Sequence, residues 1–312
     1  MQRAERGSEA GFDQSFLKKL EYLHIVAKKV FAGRLRAERR SRKTGAGIEF
    51  ADHRDYTPGD DLRYLDWAVY GRMGRLLLRL FEEEEDLYIY ILVDSSTSMR
   101  LGAGSGSLLS RSSDGRIAKL GYAAQVAAAL AYVGLSNLDR VAVYEFAEAL
   151  RGQLPAARGK GRIFKVFDFL SAMRPDGQTD LRTALTQFVH RTRRRGVAVV
   201  LSDFYDAAGY EEGLNLLRYH RFEPAVIQII DPHEARPALR GDLELVDMET
   251  GERRQVTLTE AMCAAYARTH AEYCQTLESF CSSRGIGYLR ADTDVPFEDL
   301  VLRMLREGGF VR

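Results

Sequence analysis

The sequence has no long uninterrupted run of apolar residues. Its longest runs, such as 87–93, fall far short of the roughly 20 residues that a membrane-spanning helix requires. The first residues, Met-Gln-Arg-Ala-Glu-Arg, contain no apolar core of the kind that signal peptides carry. We therefore expect a cytoplasmic protein without a membrane span.

Cysteine and histidine are scarce. The three cysteines, Cys263, Cys274 and Cys281, fall on or near one face of a predicted helix, as is typical of thiols packed in a core. A zinc site would need tighter spacing and a fourth ligand. The six histidines include no pair at helical ligand spacing. These patterns argue against zinc and indicate packing or capping roles.

Net charge is nearly absent, since 45 Lys and Arg residues balance 44 Asp and Glu residues to leave +1. A nucleic-acid-binding protein usually presents a broad basic face with aromatic side chains for stacking, so we expect no nucleic-acid partner. Charge is concentrated locally instead, in a basic run at 34–43 and an acidic run at 82–86. Each run is either a solvated end of an element or a docking patch for a protein partner.

The composition of the whole sequence, with 46% apolar and 29% charged residues, is typical of a globular protein. From residue 86 onward strands and helices alternate, which predicts an α/β fold: a doubly wound, mostly parallel sheet with helices on both faces. The predicted strands are 87–94, 139–147, 197–203, 225–231 and 287–290. The predicted helices are 115–136, 161–173, 181–194, 210–220, 259–284 and 296–307. Segments 243–246 and 255–258 predict a hairpin near one edge of the sheet.

The first 85 residues do not show this alternation. Apolar residues at near-helical spacing predict an amphipathic helix within 14–40, and 44–85 is predicted to form a less regular unit. We assign 1–85 to an N-terminal extension packed on a main domain, 86–312. Segment 102–113 is too polar to pack, and we expect it to be mobile.

Charged residues crowd the segment 49–66. Acidic and basic residues alternate there, which favours paired networks that fix a loop, or a docking surface. The alternative is a catalytic site with His53 as general base. No nucleophile with an orienting third group can be assigned from the sequence, and this makes catalysis the weaker interpretation.

Hard oxygen donors follow the first predicted strand of the main domain. Asp94, Ser96 and Ser98 lie at the carboxyl end of that strand, where α/β sheets place ligands. Thr179, in a glycine-bearing turn, and Asp203, at the end of another apolar strand, offer further oxygens. Such donors suit Mg²⁺, or Mn²⁺ or Ca²⁺. Each loop alone is explained by turn hydrogen bonding or helix capping, but three loops in register favour one shared metal site.

These loops resemble a known site. Asp94-Ser95-Ser96-Thr97-Ser98, Thr179 within 177–181, and Ser202-Asp203 are similar in order and separation to the metal-ion-dependent adhesion site of von Willebrand factor type A domains. Ahead of them, residues 45–67 read GAGIEFADHRDYTPGDDLRYLDW, and residues 81–84 read FEEE. Both segments resemble the signature of the domain-of-unknown-function 58 family, which are bacterial proteins with such a domain.

The resemblance implies a von Willebrand factor type A-like fold in which two or three hydroxyls contact the metal directly. It also implies that Asp94 and Asp203 are held one step away, through water. The cation then keeps much of its charge, and a Glu or Asp from a partner completes its shell. Members of the family are associated with MoxR-type AAA+ ATPases, so the implied function is a chaperone-like adaptor, not an enzyme, acting with such an ATPase or its client. Some larger members carry membrane helices, and this chain would be a short, soluble form.

Two other functions remain open. The first is a Mg²⁺-dependent phosphohydrolase with Asp94 as nucleophile, because haloacid-dehalogenase enzymes also place an Asp after the first strand. Those enzymes need a second Asp two residues later, where this chain has Ser96. The second is a purely structural module, whose melting temperature would not respond to Mg²⁺.

Overall fold

The structure is a computed structural model, and it describes residues 12–31, 44–45, 49–82, 87–101, 117–237 and 239–307. The basic run predicted at 34–43, most of the acidic run at 82–86 and the mobile segment predicted at 102–113 lie outside these ranges. The chain divides into two compact units, one made of 1–27 with 87–312 and the other of 28–86.

Helix α1 (Gln14–Phe31) is the amphipathic helix predicted within 14–40, and the rest of that prediction lies outside the described residues. Phe16, Leu20 and Leu23 recur at helical spacing, and all three are buried. The Phe16 ring packs on Phe297, with ring centroids 5.0 Å apart. The first turns of α1 are therefore packed within the larger unit. The predicted domain boundary between 85 and 86 stays a prediction.

The smaller unit contains a short antiparallel sheet and one helix, which the prediction of a less regular unit at 44–85 did not specify. Its elements are β1 (Thr44–Gly45), β2 (Glu49–Asp55), α2 (Trp67–Met73) and β3 (Leu77–Glu82). The strand order is β1-β3-β2, and both pairings are antiparallel. The polar stretch Asp52-His53-Arg54-Asp55 within β2 hides the apolar alternation by which strands are recognised.

The charged segment 49–66 forms paired charges, as the loop-fixing interpretation predicts. Asp66 Oδ2 lies 2.9 Å from Arg79 Nε and 3.0 Å from His53 Nε2, and Asp66 Oδ1 caps the start of α2. Arg79 first, and then His53, hold the pKa of Asp66 well below its usual range. Arg54 pairs with Asp60 at 2.6 Å. His53 is thus part of a network that fixes this loop.

The larger unit is a mixed α/β fold, as predicted. Its strands are β4 (Tyr88–Asp94), β5 (Arg140–Phe146), β6 (Leu150–Ala157), β7 (Val197–Ser202), β8 (Glu223–Ile230), β9 (Gly241–Val246), β10 (Arg253–Leu258) and β11 (Gly287–Asp292). Besides α1, its helices are α3 (Lys119–Ser136), α4 (Ile163–Ala172), α5 (Leu181–Arg191), α6 (Glu211–Tyr219), α7 (Pro232–Ala235), α8 (Glu260–Ser283) and α9 (Phe297–Glu307). Each strand and helix predicted for the main domain is present, with its ends shifted.

Six of these strands form the central sheet, in the order β11-β8-β7-β4-β5-β6. All neighbours are parallel except β5 and β6. From β4 the chain moves outward to β5 and β6 and then returns to the other side of β4 with β7. The strand order therefore reverses between β4 and β7, and open α/β sheets bind ligands in the crevice at such a point.

Two details differ from the sequence prediction. The edge strand β6 was not predicted, because it contains Gly152 and Pro155, which are depleted in strands and tolerated mainly at sheet edges. The hairpin β9–β10 was expected near an edge of the main sheet. It forms a separate two-stranded sheet instead.

Helices cover both faces of the central sheet. Tyr90 and Leu92 of β4 face a core to which α5, α6 and α8 contribute. On the opposite face, α3 approaches so closely that a Cβ at Gly134 would lie 2.9 Å from side-chain atoms of both Ile89 and Val141. Residues 90–94 are consequently all buried, which is typical of a central parallel strand.

The cysteines are free thiols, and Cys274 and Cys281 are buried as predicted, whereas Cys263 is only partly buried. Among the described residues, every helix is too short or too polar to cross a bilayer.

Gly196 permits the close pairing of β7 with β4, because a Cβ there would overlap the carbonyl oxygen of Tyr88. We expect Gly196→Ala to lower the free energy of unfolding by about 1–3 kcal/mol, since the two strands must separate to accept the methyl group. Urea denaturation measures this change. The control is Gly161→Ala, where a Cβ meets nothing within 4 Å and the expected change stays within about 0.5 kcal/mol. Equal stability of the two variants would contradict the prediction.

Candidate metal site at the ends of strands β4 and β7

The first loop of the site follows Asp94, the last residue of β4. The chain turns there into a short 3-10 helix over Thr97–Arg100. The Ser96 backbone N–H donates to Asp94 Oδ1 at 2.8 Å, and the hydroxyl oxygens of Ser96 and Ser98 are 3.0 Å apart. Ser96 precedes the 3-10 helix, but its side chain makes no capping hydrogen bond. The structure thus brings these three predicted donors together without using the Ser96 hydroxyl as a cap.

The second loop is tied to the first by two backbone hydrogen bonds. The Thr97 N–H donates to the Gly177 carbonyl at 2.9 Å, and the Asp176 N–H donates to the Ser95 carbonyl at 2.9 Å. Gly177 has a positive φ of 72°, a conformation that few other residues adopt without strain. These bonds place the loop that carries Thr179 beside the loop that carries Ser96.

The third loop, at the end of β7, is joined to the first through Ser202. Its hydroxyl donates to Asp94 Oδ2 at 2.5 Å, and both residues are completely buried. Burial is the main cause that raises the pKa of Asp94, and the negative charge of Asp203 raises it further. A cation at this position would relieve both effects.

Asp203 has a partner that sequence reasoning missed. Lys119 Nζ lies 2.7 Å from Asp203 Oδ2 and 2.8 Å from Glu234 Oε2, and the Lys119 side chain is completely buried. The available signal was a lysine at the start of α3, which is otherwise mainly apolar. Asp203 also makes a turn hydrogen bond, as the alternative interpretation of this loop predicts. Its Oδ1 accepts from the Tyr205 N–H at 3.1 Å.

Thr179 has a partner that the sequence did not predict either. Helix α5 is capped by Asp180, so the Thr179 side chain is not used as its cap. The Thr179 hydroxyl instead donates to Glu249 Oε1 at 3.1 Å, and its backbone N–H donates to Glu249 Oε2 at 3.4 Å. In the sequence, Glu249 is recognisable only as a residue of the turn between the predicted hairpin segments 243–246 and 255–258.

These oxygens are hard donors of the kind that a divalent cation such as Mg²⁺ prefers. In an octahedral Mg²⁺ shell with ligands at roughly 2.1 Å, adjacent ligand oxygens are about 3.0 Å apart. The Ser96 and Ser98 hydroxyl oxygens lie 3.0 Å apart, and Thr179 Oγ1 lies 3.1 Å from Glu249 Oε1. Both are hydrogen-bond distances, and the oxygens of each pair are also close enough to be neighbouring ligands. Within the described parts of the chain, no group of three or more His, Cys, Asp or Glu side chains could hold a metal ion. Coordination at this crevice would therefore depend on hydroxyl oxygens.

Comparison with known sequences gives one family. The model of the family described as protein of unknown function DUF58 matches residues 52–275, more than half of the chain. An uncharacterized protein of Mycobacterium tuberculosis is 27% identical over 257 residues, which cover 81% of this chain and 77% of that relative. An uncharacterized protein of Mycobacterium avium is 30% identical over 115 residues, which cover 37% of this chain and 68% of the relative.

Comparison with solved structures finds chains of low identity. The conserved hypothetical protein BatB from Bacteroides thetaiotaomicron is 16% identical, with a TM-score of 0.42, over 71% of this chain and 98% of that one. An aerotolerance-related membrane protein from Bacteroides fragilis is 18% identical, with a TM-score of 0.44, over 71% of this chain and 99% of that one. Neither structure assigns a function to this chain.

Proposed function

The chain belongs to the DUF58 family, and from this premise and the geometry of the three loops we propose that it is a metal-dependent adaptor that binds a protein partner. Ser96, Ser98 and Thr179 would hold Mg²⁺, or Mn²⁺ or Ca²⁺, with Asp94 and Asp203 behind them. The observation that carries the proposal is that the Ser96 and Ser98 hydroxyls lie 3.0 Å from each other in the loop that follows the buried Asp94 carboxylate. When bound, the cation supplies a positive centre for a carboxylate of the partner.

The protein's own residues keep that centre electrophilic. Hydroxyl ligands are neutral and cancel none of the cation's charge. Ser202 and the Ser96 N–H each donate to one oxygen of Asp94 and hold the carboxylate in place. Lys119 donates to Asp203, and its positive charge neutralises that carboxylate. In a crevice that is partly shielded from water, a partner's Glu or Asp then gains a strong charge-assisted contact.

We propose that the partner is a MoxR-type AAA+ ATPase, or a client protein of one, in the bacterial cytoplasm. The support for this partner is the resemblance of the chain to a family whose members are associated with such ATPases. A chaperone-like role in client assembly or maturation requires that the partner is bound and that no reaction is catalysed. A site built from hydroxyls suits such binding.

The phosphohydrolase alternative is disfavoured by the surroundings of Asp94. A carboxylate nucleophile must reach its substrate, but Asp94 is completely buried and both of its oxygens accept hydrogen bonds. Ser96 stands where the second Asp of such enzymes would be. Screening phosphate esters tests this point, since turnover that disappears in Asp94→Asn would restore the enzymatic alternative.

A pull-down from an extract of the native cells tests the adaptor proposal. We expect the tagged chain to retain a MoxR-type ATPase or its client at least tenfold better in Mg²⁺ than in chelator. Mg²⁺ alone, at 100 times its Kd, is expected to add about 2.7 kcal/mol to the free energy of unfolding, measured by thermal denaturation. Retention that is the same with and without chelator, together with unchanged melting in Mg²⁺, would rule the proposal out.

A further inference from the structure

The hairpin β9–β10 ends in a turn that is fixed by its own hydrogen bonds. The Asp247 carboxylate accepts from the backbone N–H groups of Glu249 at 2.9 Å and Thr250 at 2.7 Å. Gly251 adopts a positive φ of 73°, and its N–H donates to the Asp247 carbonyl at 2.9 Å. The turn therefore presents the Glu249 side chain from a defined backbone.

The Glu249 side chain is less exposed than its neighbours in this turn. The strands of the hairpin are mostly exposed, and so are Met248 and Thr250. Glu249 is partly buried, because its carboxylate lies against the hydroxyl and the N–H of Thr179.

Both hydrogen bonds of the Glu249 carboxylate are to Thr179, one of the proposed metal ligands. Thr179 belongs to the loop that is hydrogen-bonded to the Ser96 loop. The hydrogen bond of 3.1 Å holds the Glu249 carboxylate directly beside the hydroxyl of this proposed ligand. A two-stranded hairpin is marginally stable alone in water, so a contact at its tip has a large influence on its position.

We propose that Glu249 is a carboxylate ligand that the chain supplies to its own metal site, in the position that a partner's carboxylate takes. The inference rests on the proposed metal-dependent capture and adds its regulation. The hairpin tip and the partner compete for one coordination position, and the partner's acidic residue replaces Glu249 when it binds. The segment recognised is an acidic side chain presented by a tight turn.

Competition from within the chain is strong. A tethered group acts at an effective concentration in the millimolar range. A free carboxylate of similar affinity is therefore outcompeted by Glu249 when its own concentration is below the millimolar range. A partner overcomes the block by making further contacts outside the site. Loss of the Glu249 charge opens the site to simple acidic peptides.

The test uses a fluorescent cyclic peptide with the sequence of residues 246–253, Val-Asp-Met-Glu-Thr-Gly-Glu-Arg. Its binding to the full chain in Mg²⁺ is measured by fluorescence polarisation. We expect Glu249→Gln to bind it at least tenfold more tightly than the unmodified chain, and to lose this binding in chelator. A peptide with Gln in place of its first Glu is expected not to bind.

The matched control is Glu252→Gln, which removes the same charge from the same turn. Glu252 pairs with Arg254 and is exposed, so this variant is expected to bind the peptide as weakly as the unmodified chain. Hydrogen exchange gives a second readout: in Mg²⁺, Glu249→Gln is expected to speed exchange of the amides at 247–252 at least tenfold, and Glu252→Gln is expected to leave it unchanged.

The outcomes separate this inference from the proposed function. Equal peptide affinity of the unmodified chain and Glu249→Gln overturns self-ligation, while chelator-sensitive binding by both leaves carboxylate capture standing. Absence of peptide binding to Glu249→Gln in Mg²⁺ overturns the inference whatever the melting curves show. If Mg²⁺ also leaves the melting of every variant unchanged, the proposed metal site fails with it.

Discussion

Replacement of Lys119 by Met is expected to lower the free energy of unfolding by about 3–5 kcal/mol, because it leaves buried negative charge without its cation. The Lys119 and Asp203 side chains are completely buried, and Glu234 is largely so. Burial alone would lower the pKa of Lys119, but Asp203 and Glu234 outweigh it and raise that pKa above its ordinary value. Burial raises the pKa of Glu234 despite the lysine.

Urea denaturation of Lys119→Met and of a matched surface variant measures this effect. Lys19 pairs with Glu298 at 2.6 Å, but its side chain is 52% exposed, so Lys19→Met is expected to change stability by less than about 1 kcal/mol. Adding Asp203→Asn to Lys119→Met removes one uncompensated carboxylate and is expected to recover part of the loss. Equal losses in the two single variants would contradict the prediction.

Replacement of Asp94 by Asn is expected to abolish the response to Mg²⁺ while the fold persists. Asn is nearly isosteric: its carbonyl can accept from the Ser96 N–H, and its amide can donate to the Ser202 hydroxyl, so both observed contacts have replacements. The charge that would stabilise the cation is lost. We expect chelator-sensitive retention of the partner to fall at least tenfold, and the stabilisation of about 2.7 kcal/mol at 100 times the Kd of Mg²⁺ to disappear.

The control for this variant is Asp176→Asn. Asp176 lies in the neighbouring loop, and its side chain is 84% exposed, so the same charge is removed close to the donors. We expect the Mg²⁺ response and partner retention to stay as they are in the unmodified chain. Chelator-sensitive capture that survives in Asp94→Asn would show that Asp94 has no part in holding the ion.

The sheet was predictable because its strands are apolar on both faces. Val197–Ser202 reads Val-Ala-Val-Val-Leu-Ser, and every residue of it is buried. The sheet of the smaller unit and the edge strand β6 were missed because polar residues, glycine and proline interrupt their patterns. In these strands pairing with a neighbour outweighs the local propensity.

The site was predictable in part for a related reason. Carboxyl ends of parallel strands meet at one edge of the sheet, so Asp94 and Asp203 could be placed near each other from the strand pattern. Lys119 and Glu249 lie on separate elements, 84 and 70 residues in sequence from the residues they contact. The apolar pattern within one segment gives no information on which distant residue a side chain will contact, so these two contacts could not be predicted.

The reversal of strand order between β4 and β7 affects the chain while it is being made. One edge of β4 pairs with β5, but the other edge waits for β7, which lies beyond Ala157 and ends at Ser202. At a translation rate of about 5–20 residues per second, the 45 residues between these points (202 − 157) take roughly 2–9 s to synthesise. An apolar strand with an open edge pairs readily with other chains. During this interval the nascent protein exposes an apolar strand edge that can pair with other chains, and the arrival of β7 covers that edge.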